Sequence, residues 1–192
     1  MNLVLTGSTS GIGWETLLAL LPQFDRVFLP VRNVPKAEQL IQALAEKEKI
    51  VLIPMDLSLM AEVKKGAEII LSQTEEIHVL INNAGGMYPG GKGSKEGIDL
   101  SFATNHLGHF LLVQELLPAL IKGKARVIQV SSEAHRIALH PGKDFSLKKS
   151  SKLPSLQPIS RTFLPCIDPK RSKQDSTNPF IPFNTSAVKR DL

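Results

Sequence analysis

Thr6-Gly7-Ser8-Thr9-Ser10-Gly11-Ile12-Gly13 sets three glycines at GxxxGxG spacing directly after a short apolar run. This spacing suits the holding of an anion, with backbone brought close to a pyrophosphate and helix N–H groups aimed at it. Gly7 permits the tight turn, Gly11 takes a side chain off the approach path, and Gly13 lets the helix pack on the strand. Ser8, Thr9 and Ser10 can donate hydroxyls to phosphate or ribose. The plain alternative is a glycine turn that opens a helix; a place on the first βα turn gives it the phosphate task.

Four more clusters carry chemistry. Arg32 follows the second apolar run, where an adenine ribose would lie. A carboxylate there would accept from a free 2′-hydroxyl, whereas a guanidinium suits a 2′-phosphate. Arg32 therefore points to NADP(H) before NAD(H), against the alternative of a solvated arginine at a strand end. Asp56-Leu57 could hold an adenine amino group and its ring face. In Asn82-Asn83-Ala84-Gly85 the amides can tie neighbouring strands, and the small Ala84-Gly85 pair leaves room beside a cofactor. Asn105 is a poor helix-interior residue unless it has a task. His106 and His109 flank Gly108 with no carboxylate or cysteine at ligand spacing, so they read as packing or interface and no metal is expected.

The elements that must position these clusters follow from the alternation of apolar runs and amphipathic stretches. Strands are expected at Asn2–Thr6, Arg26–Val31, Ile50–Pro54, Ile77–Asn82 and Lys124–Ser131. Helices are expected at Ile12–Leu21, Lys36–Lys47 (with Pro35 at its first turn), Leu59–Gln73 and about Ile98–Ile121. Gly85–Gly97 forms a glycine-rich loop. The alternation implies an α/β protein: a Rossmann-type doubly wound parallel sheet of about five strands with helices on both faces. Each strand ends in a polar or glycine-containing cluster (Thr6–Gly13, Arg32–Asn33, Asp56–Leu57, Asn82–Gly86 and Ser131–Ser132), so these clusters would converge on one rim, where such sheets bind ligands.

The chain has 192 residues, 42% apolar, with 23 Lys+Arg against 18 Asp+Glu. Length and composition allow one domain and argue against whole-chain disorder. No run reaches the roughly 18–20 apolar residues of a membrane span. A strand starting at Asn2 leaves no room for a signal peptide, and a lone cysteine, Cys166, permits no internal disulfide, so a cytoplasmic location is expected. Charge is unevenly spread: residues 1–140 are net −1, and residues 141–192, with 7 of the 13 prolines, are net +6. The basic excess thus belongs to the end of the chain and is no sign that the body binds nucleic acid. Residues 1–149 read as a nucleotide-binding domain and residues 150–192 as an irregular Ser/Pro/Lys-rich tail.

Taken together, TGSTSGIG, NNAG, the helix asparagine of NHLGHF and VSS after the fifth strand resemble the short-chain dehydrogenase/reductase family over about residues 2–149. The run NNAGGMYPGGKGSKEGIDLSFATNHLGHFLL, with VIQVSSEAHR, is most similar to the retinol-dehydrogenase-like branch. That resemblance implies an oxidoreductase acting on a lipophilic alcohol or carbonyl, mostly with NADP(H). It places Gly7, Ser8, Ser10, Gly11, Ile12 and Gly13 at the pyrophosphate, Arg32 at the 2′-phosphate and Asp56 and Leu57 at the adenine. Asn83, Ala84 and Gly85 would run past the nicotinamide-side ribose. Ser132 would be the catalytic serine that bonds the substrate oxygen, and Asn105 the asparagine that holds a proton-relay water.

The family also uses a Tyr-x-x-x-Lys pair on the helix after the fifth strand, and here the resemblance fails. The one tyrosine is Tyr88. Tyr88-Pro89-Gly90-Gly91-Lys92 has the spacing, but proline and glycine rule out the helical turn, and the string precedes Ser132; it is a decoy. An unaided phenol near pKa 10 is a poor proton donor at neutral pH. Two functions therefore compete. One is an oxidoreductase that is weakly active or inactive as this chain alone. The other is a non-enzymatic nucleotide-binding or partner-binding fragment, for which helix 98–121 offers a surface for a homodimer or for a heterodimer with an intact relative. A tail that binds an anionic membrane or RNA ranks last, for want of interleaved aromatic residues.

Overall fold

In the computed structural model, residues 1–88 and 92–132 are described. The tail expected from residue 150, and Pro89–Gly91 of the glycine loop, lie outside the described residues. Five strands form the sheet: β1 (Asn2–Leu5), β2 (Arg26–Val31), β3 (Ile50–Pro54), β4 (Val79–Asn82) and β5 (Arg126–Gln129). All pairings are parallel, in the order β3-β2-β1-β4-β5. The order reverses between β1 and β4, which opens a crevice at their carboxyl ends.

β1, β2 and β4 are largely continuous apolar runs because both faces are covered, whereas β5 (Arg126–Gln129) leaves Arg126 and Ile128 exposed. Val4, Phe28, Ile53 and Leu80 point to one face, where they pack with Val63, Ile70, Leu112 and Leu116. Leu3, Leu5, Val27, Leu29 and Ile81 point to the other, with Leu17, Leu21 and Ala37. The first of these layers is made by α3 (Met60–Leu71) and α4 (residues 100–122), the second by α1 (Gly11–Leu20) and α2 (Val34–Ile41). Pro30 is tolerated inside β2 because pairing with β1 stops at Phe28, so its missing N–H costs no ladder bond on that side.

Two expectations change. The second helix stops at Ile41, short of Lys47: Leu44 N–H bonds Ile41 O three residues back, and a 3₁₀ turn over Lys47–Lys49 leads into β3. The long helix α4 is not uniform. It opens with a turn at Leu100–Phe102, widens to a π-helical stretch at Ala103–Leu107 and continues as an α-helix at Gly108–Lys122. Within the wide stretch the Gly108 N–H reaches Ala103 O, five residues back. Of the apolar stripe, Leu112, Val113, Leu116, Ala119 and Leu120 enter the core, whereas Phe110 and Ile121 stay exposed. No described helix is long and apolar enough to cross a membrane.

Candidate functional site

The β1–α1 turn is built on close approach. Gly7 has φ +71°, and a Cβ on Gly13 would lie 2.0 Å from the Gly7 carbonyl oxygen and 2.5 Å from Nδ2 of Asn83. Gly13 thus serves contact with the turn itself and with the loop after β4, more than with the strand. Ser10 stands in extended backbone before α1 and lends its side chain to none of the helix N–H groups. The first turn of α1 therefore keeps its donors and the positive end of its dipole uncapped by any described side chain. Gly11 has φ +54° and open space where a Cβ would stand.

Under this turn lies a polar hub that joins β1, the β4 loop and α4. The buried Thr6 hydroxyl accepts the N–H groups of Asn83 and Ala84, each at 3.0 Å. Asn83 Nδ2 donates to the carbonyls of Thr6 and Gly7, at 3.1 and 3.2 Å. His109, 2% exposed, brings Nε2 to 3.0 Å from the Thr6 hydroxyl and Nδ1 to 3.3 Å from the Asn105 carbonyl. Burial lowers its pKa to about 4, so the ring is neutral at ordinary pH. Asn105, in the π-helical stretch, accepts the Gly86 N–H and donates to the Gly86 carbonyl. Its side chain is thus engaged with backbone at both ends. Asn82 Nδ2 donates to Gln129 Oε1 at 3.0 Å and ties β4 to β5.

Above the hub is an open cleft of about 360 Å³. Gly7, Ser8, Ser10, Ile12 and Gly13 form its floor, Arg32, Asp56 and Leu57 one side, and Asn83, Ala84 and Gly85 the other. Of the residues expected at a nucleotide, Gly11 alone is absent from the lining. Arg32 is exposed and forms no ion pair with a described residue. Asp56 Oδ1 accepts the N–H and hydroxyl of Ser58, which fixes the carboxylate at the rim. Leu57 is mostly buried in the core and offers the cleft only an edge. Tyr88 lines the cleft as well, with its ring over Gly86. Ser132 lies three residues beyond the end of β5, half-buried.

A dinucleotide fits these residues. Two buried hydroxyls that line the cleft, Ser8 Oγ and Thr104 Oγ1, have no hydrogen-bond partner among the described residues. A buried hydroxyl left unpaired is costly, and a ligand rich in phosphate and ribose oxygens would satisfy it. Among the described residues no group of three histidines, cysteines or carboxylates is placed to hold a metal ion. Thr6 and His109 have tasks here, and Thr104 a place in the lining, that sequence reasoning missed. A usable signal existed for one of them, since Asn105 and His109 are four apart and share a helix face.

A family model described as short chain dehydrogenase matches residues 2–152. A short-chain dehydrogenase/reductase of Armillaria gallica is 39% identical over 156 residues, covering 77% of this chain and 50% of that protein. Human retinol dehydrogenase 12 is 36% identical over 150 residues, covering 76% and 48%. Among solved structures, a metagenomic short-chain oxidoreductase in complex with NADP superposes with a TM-score of 0.61 at 27% identity, covering 79% of this chain and 70% of that one. With the parallel sheet, the reversal between β1 and β4 and the glycine turn at its mouth, these matches place the chain in the short-chain dehydrogenase/reductase family. The chain spans about half the length of the two relatives named.

Proposed function

We propose that the chain binds NADP(H) and belongs to an oxidoreductase for a lipophilic alcohol or carbonyl, of retinol-like character. The observation that carries this reading is the cleft itself: helix donors, two buried hydroxyls and Arg32, all without partners among the described residues, surround one space. The first turn of α1, with Gly7, Ser8, Ser10, Gly11, Ile12 and Gly13, would hold the pyrophosphate. Arg32 would pair with a 2′-phosphate, which favours NADP(H) over NAD(H). Asp56 and Leu57 would take the adenine, and Asn83, Ala84 and Gly85 the second ribose. When bound, the cofactor supplies or accepts a hydride. Ser132 would donate to the substrate oxygen, and Asn105, whose side chain also holds Gly86, would hold a proton-relay water.

The same reading limits the chemistry of this chain. Among its 192 residues the one tyrosine is Tyr88, which sits in the loop after β4, beside the glycine turn and followed by Pro89. No phenol–lysine pair on a helix after β5 can be read from the sequence, so we infer weak hydride transfer or none from this chain alone. Binding without turnover is the second reading, that of a nucleotide-binding or partner-binding fragment. The exposed Phe110 and Ile121 of α4 favour a second subunit there.

One experiment separates these readings. Trp14, the only tryptophan, packs against the apolar core beside α1, and its emission overlaps the absorbance of NADPH, so a nucleotide bound nearby would quench it by energy transfer. Titration with NADPH is expected to quench it saturably, while all-trans-retinal and NADPH together give no loss of absorbance from NADPH. Absence of saturable quenching overturns the cofactor reading. Brisk turnover overturns the impairment.

A further inference from the structure

We propose that His109 is a positioning residue that fixes the polarity of the Thr6 hub and thereby places the Asn83–Gly86 segment against the cleft; the functional consequence rests on the reading that this cleft binds NADP(H). Lone pairs and protons at the hub can be counted. A hydroxyl offers one proton and two acceptor sites. At Thr6 both acceptor sites are filled, by the N–H groups of Asn83 and Ala84 at 3.0 Å. The proton must then go to an acceptor. Two are in reach: His109 Nε2 at 3.0 Å, and the Ile81 carbonyl at 3.4 Å. The Ile81 carbonyl already takes the Thr6 backbone N–H at 3.0 Å. His109 is therefore the nearer acceptor and the one with no other donor to serve at that nitrogen.

The other ring nitrogen makes the assignment consistent. Nδ1 faces the Asn105 carbonyl at 3.3 Å, which has no proton to give, so Nδ1 must carry the hydrogen. A ring protonated on Nδ1 has its lone pair on Nε2, as the Thr6 hydroxyl requires. The reverse tautomer would set a lone pair against the Asn105 carbonyl. It would also bring a third donor to the two acceptor sites of Thr6, and one loop N–H would lose its partner. Burial supports the same state, since an imidazolium in this apolar setting is disfavoured. One imidazole thus holds two pieces of the site at once. Through Thr6 it sets the backbone of Asn83 and Ala84; through the Asn105 carbonyl it braces the turn whose side chain holds Gly86.

The test starts with the wild-type 192-residue chain, without any ligand. A long-range ¹⁵N spectrum of the histidines at pH 7 is expected to show His109 as the neutral ring with its proton on Nδ1. A proton on Nε2, or a charged ring, overturns the proposal whether or not the chain binds a nucleotide. Two variants then read the consequence, with NADPH as the probe. His109→Gln can still place an amide oxygen near the Nε2 position and accept from Thr6, whereas His109→Leu keeps the bulk and accepts nothing. His109→Leu is expected to weaken NADPH binding about tenfold, with His109→Gln recovering most of that loss. Equal weakening in both, or in neither, overturns the proposal, and the amide shifts of Asn83, Ala84 and Gly86 should move in the leucine variant only. Should wild type itself fail to bind NADPH, the function proposed above falls, while the tautomer and the amide shifts still decide the place of His109.

Discussion

The carboxamide of Asn105 grips the backbone of Gly86 at two points, Oδ1 on its N–H at 2.9 Å and Nδ2 on its carbonyl at 2.8 Å. The geometry copies a strand pairing with one side chain in place of a strand, and it needs the helix to present residue 105 sideways. The π-helical turn at Ala103–Leu107 provides that presentation. Such turns are rare and cluster where a helix serves a site.

Removing the clasp leaves two partly buried backbone groups without partners. Asn105→Ala is therefore expected to lower unfolding free energy by about 2–4 kcal/mol. Asn105→Asp keeps an acceptor for the N–H but turns a carboxylate oxygen toward the Gly86 carbonyl, so it should recover less than half of the loss. Urea unfolding followed by circular dichroism measures both. An Asn105→Ala variant within about 0.5 kcal/mol of wild type would mean that the clasp contributes nothing to stability.

Gly11 and Gly13 should answer the same substitution differently. At Gly13 an alanine Cβ would meet the Gly7 carbonyl at 2.0 Å, against backbone that cannot swing away. At Gly11 the new methyl would enter open space, and only the left-handed backbone (φ +54°) opposes it. Gly11→Ala is expected to cost about 1–2 kcal/mol through the left-handed backbone and to weaken NADPH binding, because the methyl would enter the space through which a pyrophosphate approaches. Gly13→Ala should cost clearly more and abolish the binding. Equal effects would contradict the packing of this turn.

The strands were legible because a doubly covered parallel sheet demands continuous apolar runs, and Leu3-Val4-Leu5 and Val27-Phe28-Leu29 are such runs. The strand-end clusters were legible for the same reason, since parallel strands bring their carboxyl ends to one rim. What stayed hidden depends on partners distant in sequence. Nothing in Ala103–Leu107 announces a π-helical turn; it exists because Asn105 must reach Gly86, 19 residues earlier. His109 read as packing because its partner, Thr6, lies 103 residues away. The early end of α2 was equally invisible. Leu44 and its neighbours are good helix formers, but the chain must turn at that point to enter β3 in register with β2.

Arg32 offers the cleanest test of cofactor choice. Its guanidinium is exposed at the rim without a protein counter-ion among the described residues, so neutralising it should disturb the fold little. Arg32→Ala is expected to weaken NADPH binding about tenfold or more while changing NADH binding less than about threefold. Raising ionic strength should weaken NADPH binding in the parent and less so in the variant. Parallel losses for both nucleotides would mean that Arg32 senses something other than the 2′-phosphate.

His109 makes stability depend on pH in a definite direction. Its pKa in the fold is about 4, lowered by burial from the ordinary 6.5. Above pH 6.5 the ring is neutral in folded and unfolded chains alike, and its contribution to stability is fully present. Between pH 6.5 and 4 the unfolded chain takes up a proton that the folded chain refuses, so stability falls as the medium acidifies. The slope approaches about 1.4 kcal/mol per pH unit, and the loss totals about 3 kcal/mol before levelling off near pH 4. His106, half-buried, is shifted the same way by its own burial and adds to the trend. Urea midpoints measured from pH 8 to pH 4 should therefore fall more steeply in wild type than in His109→Gln, which has no titrating group there. Carboxylates contribute alike to both proteins and cancel in the difference. Superimposable pH profiles would show that the ring lacks the burial and the tight hold on Thr6 that the hub requires.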